Sequence, residues 1–428
     1  MLHHVILGAG PAGVIAAETI RQHAPADRIT IIGDEPEAPY SRMAIPYLIA
    51  GNIEEGGTHL RHDAAHFAAL KIDVQRGSAV AVDTSARTVT LAGGGSVSYD
   101  RMLIATGSRP AAPPVTGITS PGVHTCWTLA DARKIMALAQ PGARVIQMGA
   151  GFIGCIIMEA LAARKTELTV IEMGDRMVPR MMGETAGTMI KQWCEHKGIR
   201  VLTGTRVEAI HPGTPLSARL STSEQLSADL IINATGVKPA IGFLEASTIK
   251  CLRGVLTDEH MRTSVAEVYA AGDCAEAFDR ITGTTIVSAI QPNAADQARV
   301  AALNMVGQTA VLPRVTQINV LDTLGMISTS FGNWQGVPAS DGGAHTALTD
   351  AANGRHLSLQ FKDDVLIGCN SVGWTDHVGV MRGLVEGKVK LGAWKDRLLQ
   401  DPTQLVPAYL ATAQSQGAWN GAADERRR

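Results

Sequence analysis

Apolar positions concentrate in two segments of the chain that share one layout: an apolar run, a glycine-rich turn and a second apolar run. The first segment reads HHVILGAGPAGVIAAETI from His3, and the second reads ARVIQMGAGFIGCIIMEAL from Ala143. A short apolar run indicates a buried strand, and the longer run after the glycines indicates a helix. The pattern therefore predicts two copies of a strand–turn–helix unit.

Both turns have the spacing G-x-G-x-x-G, which is typical of dinucleotide-binding sites when it joins a strand to a helix. The first glycine permits the tight turn, the second lets the backbone approach a pyrophosphate, and the third lets the helix pack closely. Unpaired N–H groups at the start of the helix then face the phosphates. Two such sites in one chain indicate electron transfer between two dinucleotides. The two turns are Gly8-Ala9-Gly10-Pro11-Ala12-Gly13 and Gly149-Ala150-Gly151-Phe152-Ile153-Gly154.

A carboxylate is expected after the next strand of each unit, where it accepts hydrogen bonds from ribose hydroxyls. The segment RITIIGDE ends in Asp34 and Glu35, and the segment LTVIE ends in Glu172. Both acids follow the first glycine of their turn at close to the expected interval of ~20 residues. The chain therefore carries a ribose-binding candidate for each predicted site.

Length and composition are those of a folded protein with several domains. A chain of 428 residues suggests about three domains, and a net charge of −2 gives no reason to expect a nucleic-acid partner. Neither an 18-residue apolar span nor a signal peptide is visible, so we expect a cytoplasmic protein without a membrane span. The terminal run GAADERRR is expected to be a solvated tail.

The cysteine spacing excludes a local dithiol and the usual zinc and iron–sulfur patterns, because no two cysteines lie within five residues of each other. No metal site is expected, and most of the cysteines are expected to be small apolar residues of the core. The six cysteines are Cys126, Cys155, Cys194, Cys251, Cys274 and Cys369.

The final third of the chain has a different pattern. The segments HLSLQF and DVLIGCNSVG alternate in polarity and indicate strands of a sheet. Two stretches that follow, HVGVMRGLVEG and WKDRLLQDPTQLVPAYLATA, are predicted to be helical. This part of the chain is therefore predicted to be an α+β domain.

Three further segments follow the turns in a fixed order: YDRMLIATGSRP (99–110), DLIINATGVKP (229–239) and VYAAGDCAE (268–276). With the two glycine turns, this order resembles the pyridine-nucleotide flavoprotein reductases, which have the two-dinucleotide fold of glutathione reductase. The chain is most similar to the branch of ferredoxin reductases, rubredoxin reductases, flavin domains of NADH-dependent nitrite reductases and NADH oxidases. The resemblance covers residues 1 to about 310 well and the remainder weakly.

The resemblance implies an α/β fold with two Rossmann-like dinucleotide-binding domains and a C-terminal α+β interface domain. FAD would be bound by residues 1–112 and 245–310, and NAD by residues 113–244, which begin in the proline-rich linker RPAAPPVTG. Residues 311–428 would form the interface domain, which implies a homodimer or a hetero-complex.

The resemblance also implies cofactor contacts outside the glycine turns. Arg42, in GDEPEAPYSR, would contact FAD, the backbone of Val80 would contact adenine, and Asp273 would lie on the ribityl chain. The helix after Pro292 would direct its N-terminus at the flavin pyrimidine and stabilise negative charge on the reduced flavin. The other expected contacts are Ala105, Thr106, Gly107, Arg109 and Gly272 for FAD, and Gly236 for NAD.

Glu172 bears on the choice between NADH and NADPH. Its carboxylate would accept from the free 2′-hydroxyl of NADH and repel the 2′-phosphate of NADPH. No arginine follows Glu172 immediately, since Arg176 lies four residues further on. NADH is therefore the expected donor.

The chain departs from these relatives at positions beside the flavin. Ferredoxin reductases commonly carry a lysine–glutamate pair there, and the matching residues are Tyr47 and Ile156. Joint loss of the pair is consistent with the cost of burying one charge without its partner. Met43 occupies the place of the redox cysteine of NADH oxidases and coenzyme A disulfide reductases, and methionine forms no thiolate. Ile290 replaces a flavin-stacking tryptophan of many relatives.

No side chain is expected to carry the hydride transfer itself, because the flavin supplies that chemistry. The candidates for a role beside the flavin are Tyr47, Glu159 and His377. For His377 the alternative is an ordinary helix start with Thr375 or Asp376 as the N-cap.

Three functions are compatible with this pattern. The first is an FAD-dependent NADH:acceptor oxidoreductase that passes electrons to a redox protein or a partner subunit. The second is an NADH oxidase that reduces oxygen to hydrogen peroxide. The third is a flavoprotein similar to apoptosis-inducing factor, in which NADH changes the conformation and the role is not catalytic.

Overall fold

The computed structural model describes residues 1–279, 282–315 and 318–412. The terminal run GAADERRR, expected to be a solvated tail, lies outside the described residues.

Twenty-six strands are described in these ranges. The first thirteen are β1 His3–Leu7, β2 Arg28–Gly33, β3 Ile72–Arg76, β4 Ala79–Asp83, β5 Thr88–Leu91, β6 Ser96–Ser98, β7 Arg101–Ile104, β8 Ser108–Pro110, β9 Val123–Thr125, β10 Arg144–Met148, β11 Glu167–Ile171, β12 Arg200–Leu202 and β13 Val207–His211. The remaining strands are β14 Leu216–Leu220, β15 Gln225–Ala228, β16 Leu230–Asn233, β17 Val237–Pro239, β18 Val255–Thr257, β19 Val268–Ala270, β20 Ala275–Asp279, β21 Thr284–Ile286, β22 Ile318–Thr323, β23 Met326–Gly332, β24 Gly343–Asp350, β25 Arg355–Lys362 and β26 Val365–Val372.

Ten α-helices occur in the same described ranges, together with five short 3₁₀ turns. The helices are α1 Pro11–His23, α2 Ile45–Ala50, α3 His66–Ala69, α4 Leu129–Leu138, α5 Phe152–Ala163, α6 Glu184–His196, α7 Gln291–Met305, α8 Val378–Gly387, α9 Ala393–Gln400 and α10 Leu405–Thr412.

The chain divides into two compact units, and each is discontinuous in sequence. Unit 1 comprises Met1–Ala111, Trp127–Arg133 and Gly236–Thr316, and unit 2 comprises Ala112–Cys126, Lys134–Thr235 and Gln317–Arg428. The division into an FAD domain, an NAD domain and an interface domain remains a prediction.

Unit 1 is built on a parallel sheet with the strand order β19-β7-β1-β2-β3. Strands β1 and β7 are almost wholly buried, as expected for central parallel strands that are covered on both faces. Helix α1 packs against helix α7, and its buried face consists of small and β-branched residues. The glycine turn between β1 and α1 therefore lies at the carboxyl edge of this sheet, where ligands of open α/β sheets bind.

Unit 2 repeats this arrangement in a second parallel sheet with the order β12-β11-β10-β16-β9. The second glycine turn joins β10 to α5 at the carboxyl edge of that sheet. An antiparallel sheet with the order β13-β14-β15 accompanies it. The predicted α/β fold with two Rossmann-like sheets is thereby confirmed.

Residues 318–412 of unit 2 form an antiparallel sheet with the order β22-β23-β26-β25-β24 and three helices. The segments predicted as strands, HLSLQF and DVLIGCNSVG, are β25 and β26. Their buried side chains form an apolar core with helices α8 to α10. The predicted α+β character of this region is confirmed.

The long helical stretch predicted after residue 393 is wrong in one respect, because the structure divides it into α9 and α10. Asp401 is extended, as expected for a residue before proline, and its side chain accepts hydrogen bonds from Thr403 and Gln404. These local bonds replace helical ones, so the chain turns between Gln400 and Leu405.

Two predicted helix starts also differ from the structure. The N-cap of α8 is His377 rather than Thr375 or Asp376, and none of the described side chains caps it by a hydrogen bond. Helix α7 begins at Gln291, with proline inside its first turn rather than before it. Proline is tolerated there because the first N–H groups of a helix have no partner within it.

Candidate functional site

The first glycine turn, in unit 1, is fixed by close backbone contacts. Gly8 has a φ of 120°, and a β-carbon at Gly8 would clash with the carbonyl oxygen of Ala105. A β-carbon at Gly13 would clash with the carbonyl oxygen of Gly8. Gly10 differs, because apart from Gly10 itself and its two sequence neighbours no heavy atom of the described chain lies within 4 Å of the place its β-carbon would take. The turn is therefore packed on two sides and open on the third.

The second turn, in unit 2, repeats this geometry. Gly149 has a φ of 102°, and its β-carbon would lie 2.5 Å from the carbonyl oxygen of Ala234. The β-carbon of Gly154 would lie 2.5 Å from the carbonyl oxygen of Gly149. The place that a β-carbon of Gly151 would take is open to 4 Å with respect to every described residue except Gly151 itself and its two sequence neighbours. Ala105 and Ala234 each begin an Ala-Thr-Gly run, and the first residue of each run supports the turn of its own unit.

The helix that follows each turn is suited to bind an anion. The N-caps of α1 and α5 are Gly10 and Gly151, and no described side chain caps either helix. Neither helix carries an acidic residue in its first turn. Their first N–H groups are therefore available to a phosphate, and the open side of each turn fits the pyrophosphate of a dinucleotide.

Arg42 lies in a polar cluster of unit 1. Its guanidinium donates to Glu35 at 2.6 Å, to the Tyr40 hydroxyl at 3.1 Å and to the backbone carbonyl of Trp127 at 2.6 Å. Tyr40 in turn donates to Glu35 at 2.6 Å, and burial raises the pKa of its hydroxyl. The charge of Arg42 thus offsets that of Glu35, and these hydrogen bonds fix the loop that runs from Glu35 to Arg42.

The other acid after β2 has a separate partner, since Asp34 forms an ion pair with Arg109.

Val80 lies at a β-bulge of the β4–β5 pair, where the register shifts between Ala79 and Ala81. A bulge takes the extra residue out of regular ladder pairing, which leaves its backbone free to meet a ligand.

Asp273 lies in the loop between β19 and β20 of unit 1. The Ser108 hydroxyl donates to its carboxylate at 2.8 Å, and the preceding Gly272 N–H donates to the buried Gln297 of α7 at 2.8 Å. A β-carbon at Gly272 would lie 3.3 Å from the Ala12 side chain of α1. The loop therefore brings the starts of α1 and α7 together.

Burial raises the pKa of the Asp273 carboxyl above its ordinary value of 3.8, although the Ser108 hydrogen bond and the Arg42 charge oppose the shift. A raised pKa in the folded state means that ionisation of Asp273 destabilises the fold increasingly as pH rises above 3.8. An Asp273→Asn variant stripped of flavin is therefore expected to unfold at a higher temperature than the wild type at pH 8, by roughly 2 °C. Calorimetry should show this difference shrinking toward pH 4, and a constant difference would contradict the assignment.

Glu172 directly follows β11 and is held by backbone donors of unit 2. Its carboxylate accepts from the Ala150 N–H at 2.7 Å and from the Gly174 N–H at 2.7 Å. Arg176 is turned to other partners, because it donates to both carboxylate oxygens of Asp175 and to the carbonyl of Met182. The site therefore presents a fixed negative charge at the end of β11.

The family model described as pyridine nucleotide-disulphide oxidoreductase matches residues 2–301 of the chain. The protein belongs to this family. A relative named NADH-dependent phenylglyoxylate dehydrogenase subunit epsilon, from Aromatoleum evansii, is 32% identical over 93% of this chain and 95% of its own length. The ferredoxin–NAD(+) reductase component of a biphenyl dioxygenase system, from Paraburkholderia xenovorans, is 31% identical over 72% of this chain and 76% of its own.

Among solved structures, an NAD-dependent persulfide reductase from A. fulgidus superposes with a TM-score of 0.84. The two chains are 29% identical, and the match covers 92% of this chain and 78% of that one. Membership of the oxidoreductase family makes the protein an FAD-dependent NAD(P)H oxidoreductase that uses FAD and NADH.

The residues that differ from the family pattern beside the flavin lie on both units. Met43 and Tyr47 are exposed on the surface of unit 1, at 45% and 56% of their maximum. Ile156 and Glu159 are half-buried on α5 of unit 2, where burial and nearby Asp322 raise the pKa of Glu159. Among the described residues, none of the ion pairs involves Glu159, and the one charge that shifts its pKa is that of Asp322, which has the same sign.

The candidate residues at the two helix starts differ in setting. Ile290 is the N-cap of α7, with extended backbone. His377 is the half-buried N-cap of α8. Asn293, in the first turn of α7, is buried and donates to the Ser288 hydroxyl at 2.8 Å.

Trp127 is a residue of unit 1 that the sequence analysis missed. Its indole N–H donates to the Ser108 carbonyl at 3.2 Å, and its ring lies beneath the Arg42 guanidinium at 5.2 Å. Trp127 therefore links the Arg42 cluster to Ser108, whose hydroxyl donates to Asp273. A signal was present, because Thr128 and Asp131 form a reciprocal capping box that fixes the helix start beside it.

Among the residues that the structure describes, no helix is both long and apolar enough to cross a membrane. No disulfide joins any of the six cysteines, which all lie in the described part of the chain; five of them are buried, and Cys251 is half-buried. Burial raises the pKa of Cys155, Cys194 and Cys274, so these thiols are protonated at neutral pH. The expectation that most cysteines are core residues is confirmed.

Proposed function

We propose that the protein is the NADH-oxidising component of an electron-transfer system and passes electrons from FAD to a separate redox protein or partner subunit. The observation that carries this proposal is the pair of open glycine turns in a chain with no thiol relay. Met43 replaces the redox cysteine, and the buried cysteines are held as thiols. Electrons from NADH must therefore leave the flavin for an acceptor outside this chain.

The first turn would bind the FAD pyrophosphate, and the adjoining side chains would bind the rest of the molecule. Asp34 or Glu35 would bind the adenosine ribose, Arg42 the cofactor beside its loop, the Val80 backbone the adenine, and Asp273 the ribityl chain. Glu35 and Asp34 already pair with arginines, so their roles include fixing Arg42 and Arg109. The other proposed contacts are Ala105, Thr106, Gly107, Arg109 and Gly272.

The second turn would bind the NADH pyrophosphate at the start of α5, with Glu172 accepting from the adenosine ribose. Gly236, which has a φ of 120° and open space at its β-carbon position, completes the proposed NAD contacts. FAD, when bound, supplies the acceptor for the hydride of NADH and a centre that can release electrons one at a time. The chain contributes binding, orientation and charge: helix α7 presents uncapped N–H groups that favour negative charge near its start.

The Glu172 charge can be tested through donor preference. A Glu172→Gln variant is expected to raise the ratio of kcat/KM for NADPH to that for NADH by about tenfold, because it removes the repulsion of the 2′-phosphate. Glu167→Gln, at the opposite end of β11, is the matched control and should leave the ratio unchanged. An equal ratio in the Glu172 variant and the wild type would contradict the assignment.

The partner proposal draws on the relatives. The relative that matches over 95% of its length is named as a subunit, and the biphenyl dioxygenase relative is named as a reductase component. Both names describe proteins that work with others. The same proposal includes a homodimer or hetero-complex formed through residues 311–428. It also includes a cytoplasmic location, where six cysteines that form no disulfide stay reduced.

The decisive experiment is native purification followed by reduction without oxygen. NADH should bleach the yellow protein, and a co-purified protein should restore the colour faster than air does. Reoxidation by air alone at above roughly 1 s⁻¹ would favour an oxidase that forms hydrogen peroxide. A reduced complex that persists with every acceptor would favour a non-catalytic role, and protein that NADH does not bleach would refute the proposal.

A further inference from the structure

A glutamine lies where the pattern of a central parallel strand calls for an apolar residue. Gln147 is the fourth residue of β10, between Ile146 and Met148, and its side chain is fully buried. Central parallel strands normally read as continuous apolar runs, since both faces are covered. A polar side chain at this position therefore needs a physical reason.

The Gln147 amide connects the two ends of the second glycine turn. Its Nε2 donates to the carbonyl oxygen of Gly149 at 2.9 Å and to that of Gly154 at 2.9 Å. Two carbonyl acceptors fix the orientation of the amide, because only the nitrogen can donate to both. Its Oε1 atom is buried and finds no hydrogen-bond partner in the described part of the chain.

The same bonds connect Gln147 to Glu172 through one peptide unit. The carbonyl of the Gly149–Ala150 peptide accepts from Gln147, and its N–H donates to the Glu172 carboxylate at 2.7 Å. The plane of this peptide is thereby held from both sides. The other oxygen of Glu172 accepts from Gly174, so the position of the carboxylate depends on two backbone donors, one of which Gln147 orients.

The first glycine turn shows that the fold does not require this glutamine. Ile6 occupies the corresponding position of β1, two residues before Gly8. A β-carbon at Gly13 would lie 3.3 Å from Ile6 Cγ2, and one at Gly154 would lie 3.1 Å from Gln147 Nε2. An apolar side chain thus supports the same turn in unit 1. The buried, unsatisfied oxygen of Gln147 lowers stability and so indicates a role beyond folding.

We infer that Gln147 is a positioning residue for NADH: by fixing the Gly149–Ala150 peptide, it sets the turn and the Glu172 carboxylate for the dinucleotide. This inference rests on the proposed assignment of NADH to the second turn. It predicts that binding and stability respond in opposite directions when the amide is removed. A residue that only supports the fold would change both in the same direction.

The test replaces the amide with an apolar chain of similar length in the FAD-loaded protein. Gln147→Met is expected to weaken NAD⁺ binding about fivefold, the effect of losing one ordinary hydrogen bond, when NAD⁺ is titrated calorimetrically. The midpoint of thermal unfolding should equal or exceed that of the wild type, and FAD content should not change. Gln147→Ile, which copies the first turn, is the second variant and should behave alike.

Gln140→Met is the matched control, because Gln140 also donates to two carbonyls, those of Met136 and Ala137, but on the surface and outside the turn. It should leave NAD⁺ binding unchanged. In a Glu172→Gln background, Gln147→Met should alter NAD⁺ binding less than twofold if Gln147 acts through Glu172.

Unchanged NAD⁺ binding in the Gln147 variants would overturn the inference, as would weaker binding accompanied by a lower unfolding temperature. Full additivity with Glu172→Gln, or failure of both variants to fold, would likewise show a purely structural role. Failure of the wild type to bind NAD⁺ is a different result, because it would refute the proposed function itself.

Discussion

A Gly10→Val variant is expected to fold normally and to purify without FAD. Gly10 has a φ of −80°, which any residue can adopt, and beyond its two sequence neighbours its β-carbon would meet no heavy atom of the described chain within 4 Å. The space ahead of this glycine is where the backbone must approach the pyrophosphate. Valine places its methyl groups there, so FAD occupancy should fall at least ~10-fold.

The ratio of flavin absorbance to protein absorbance after native purification measures this prediction. Gly242→Val is the control, since Gly242 also lies in unit 1 with open space at its β-carbon position but outside the turn. The control should stay yellow, and both variants should unfold within a few degrees of the wild type. A yellow Gly10→Val protein would mean that the pyrophosphate is bound elsewhere.

A Gly151→Val variant is expected to purify yellow but to resist reduction by NADH. Gly151 has a φ of −76° and the same open position in the second turn. Valine there blocks the approach of the NADH pyrophosphate and leaves the first turn untouched. We expect the rate of bleaching at a fixed, subsaturating NADH concentration to fall by about 100-fold.

Anaerobic stopped-flow measurement of flavin absorbance gives this rate. Dithionite should bleach the Gly151 variant as fast as the wild type, because it needs no nucleotide site. Gly10→Val serves as the reciprocal comparison: it loses the flavin, whereas Gly151→Val loses only its reduction by NADH. Bleaching of Gly151→Val at the wild-type rate would contradict the assignment of NADH to the second turn.

The fold and the two turns were predictable because their signals are local. The glycine spacing, the apolar strand before it and the apolar helix after it lie within ~20 consecutive residues. The acids Asp34, Glu35 and Glu172 also follow their strands directly. The strands β25 and β26 could be recognised for the same reason, since alternating polarity within eight residues suffices.

Local signals failed where two competing patterns met. The segment after residue 393 has helical periodicity throughout, yet Asp401 bonds to the backbone and side chains that follow it and ends α9. The N-cap of α8 is His377, although Thr375 and Asp376 are better capping residues by type. At Asp401 both signals are local, and the hydrogen bonds around the Asp-Pro pair prevail over the helical periodicity. Helix α8 packs against β23 and β26, and no short window of sequence contains those contacts.

The partners of the charged residues were not predictable either. The sequence nominated Arg42 and Asp273 as cofactor residues, but their connection through Trp127 and Ser108 joins segments that are distant along the chain. Trp127 belongs to unit 1 although the residues on both sides of its segment belong to unit 2. Only the folded chain brings such residues into hydrogen-bond distance.

By itself, the sequence determined that this protein has two dinucleotide turns, an acid after each, and no redox cysteine beside the first, because each of these is a property of a few neighbouring residues. The tertiary structure decided which groups support those turns. The carbonyls of Ala105 and Ala234 close them, and the buried amide of Gln147 distinguishes the second from the first. These contacts arise from strand neighbours and buried side chains, so their energy depends on packing that exists only after the chain has folded.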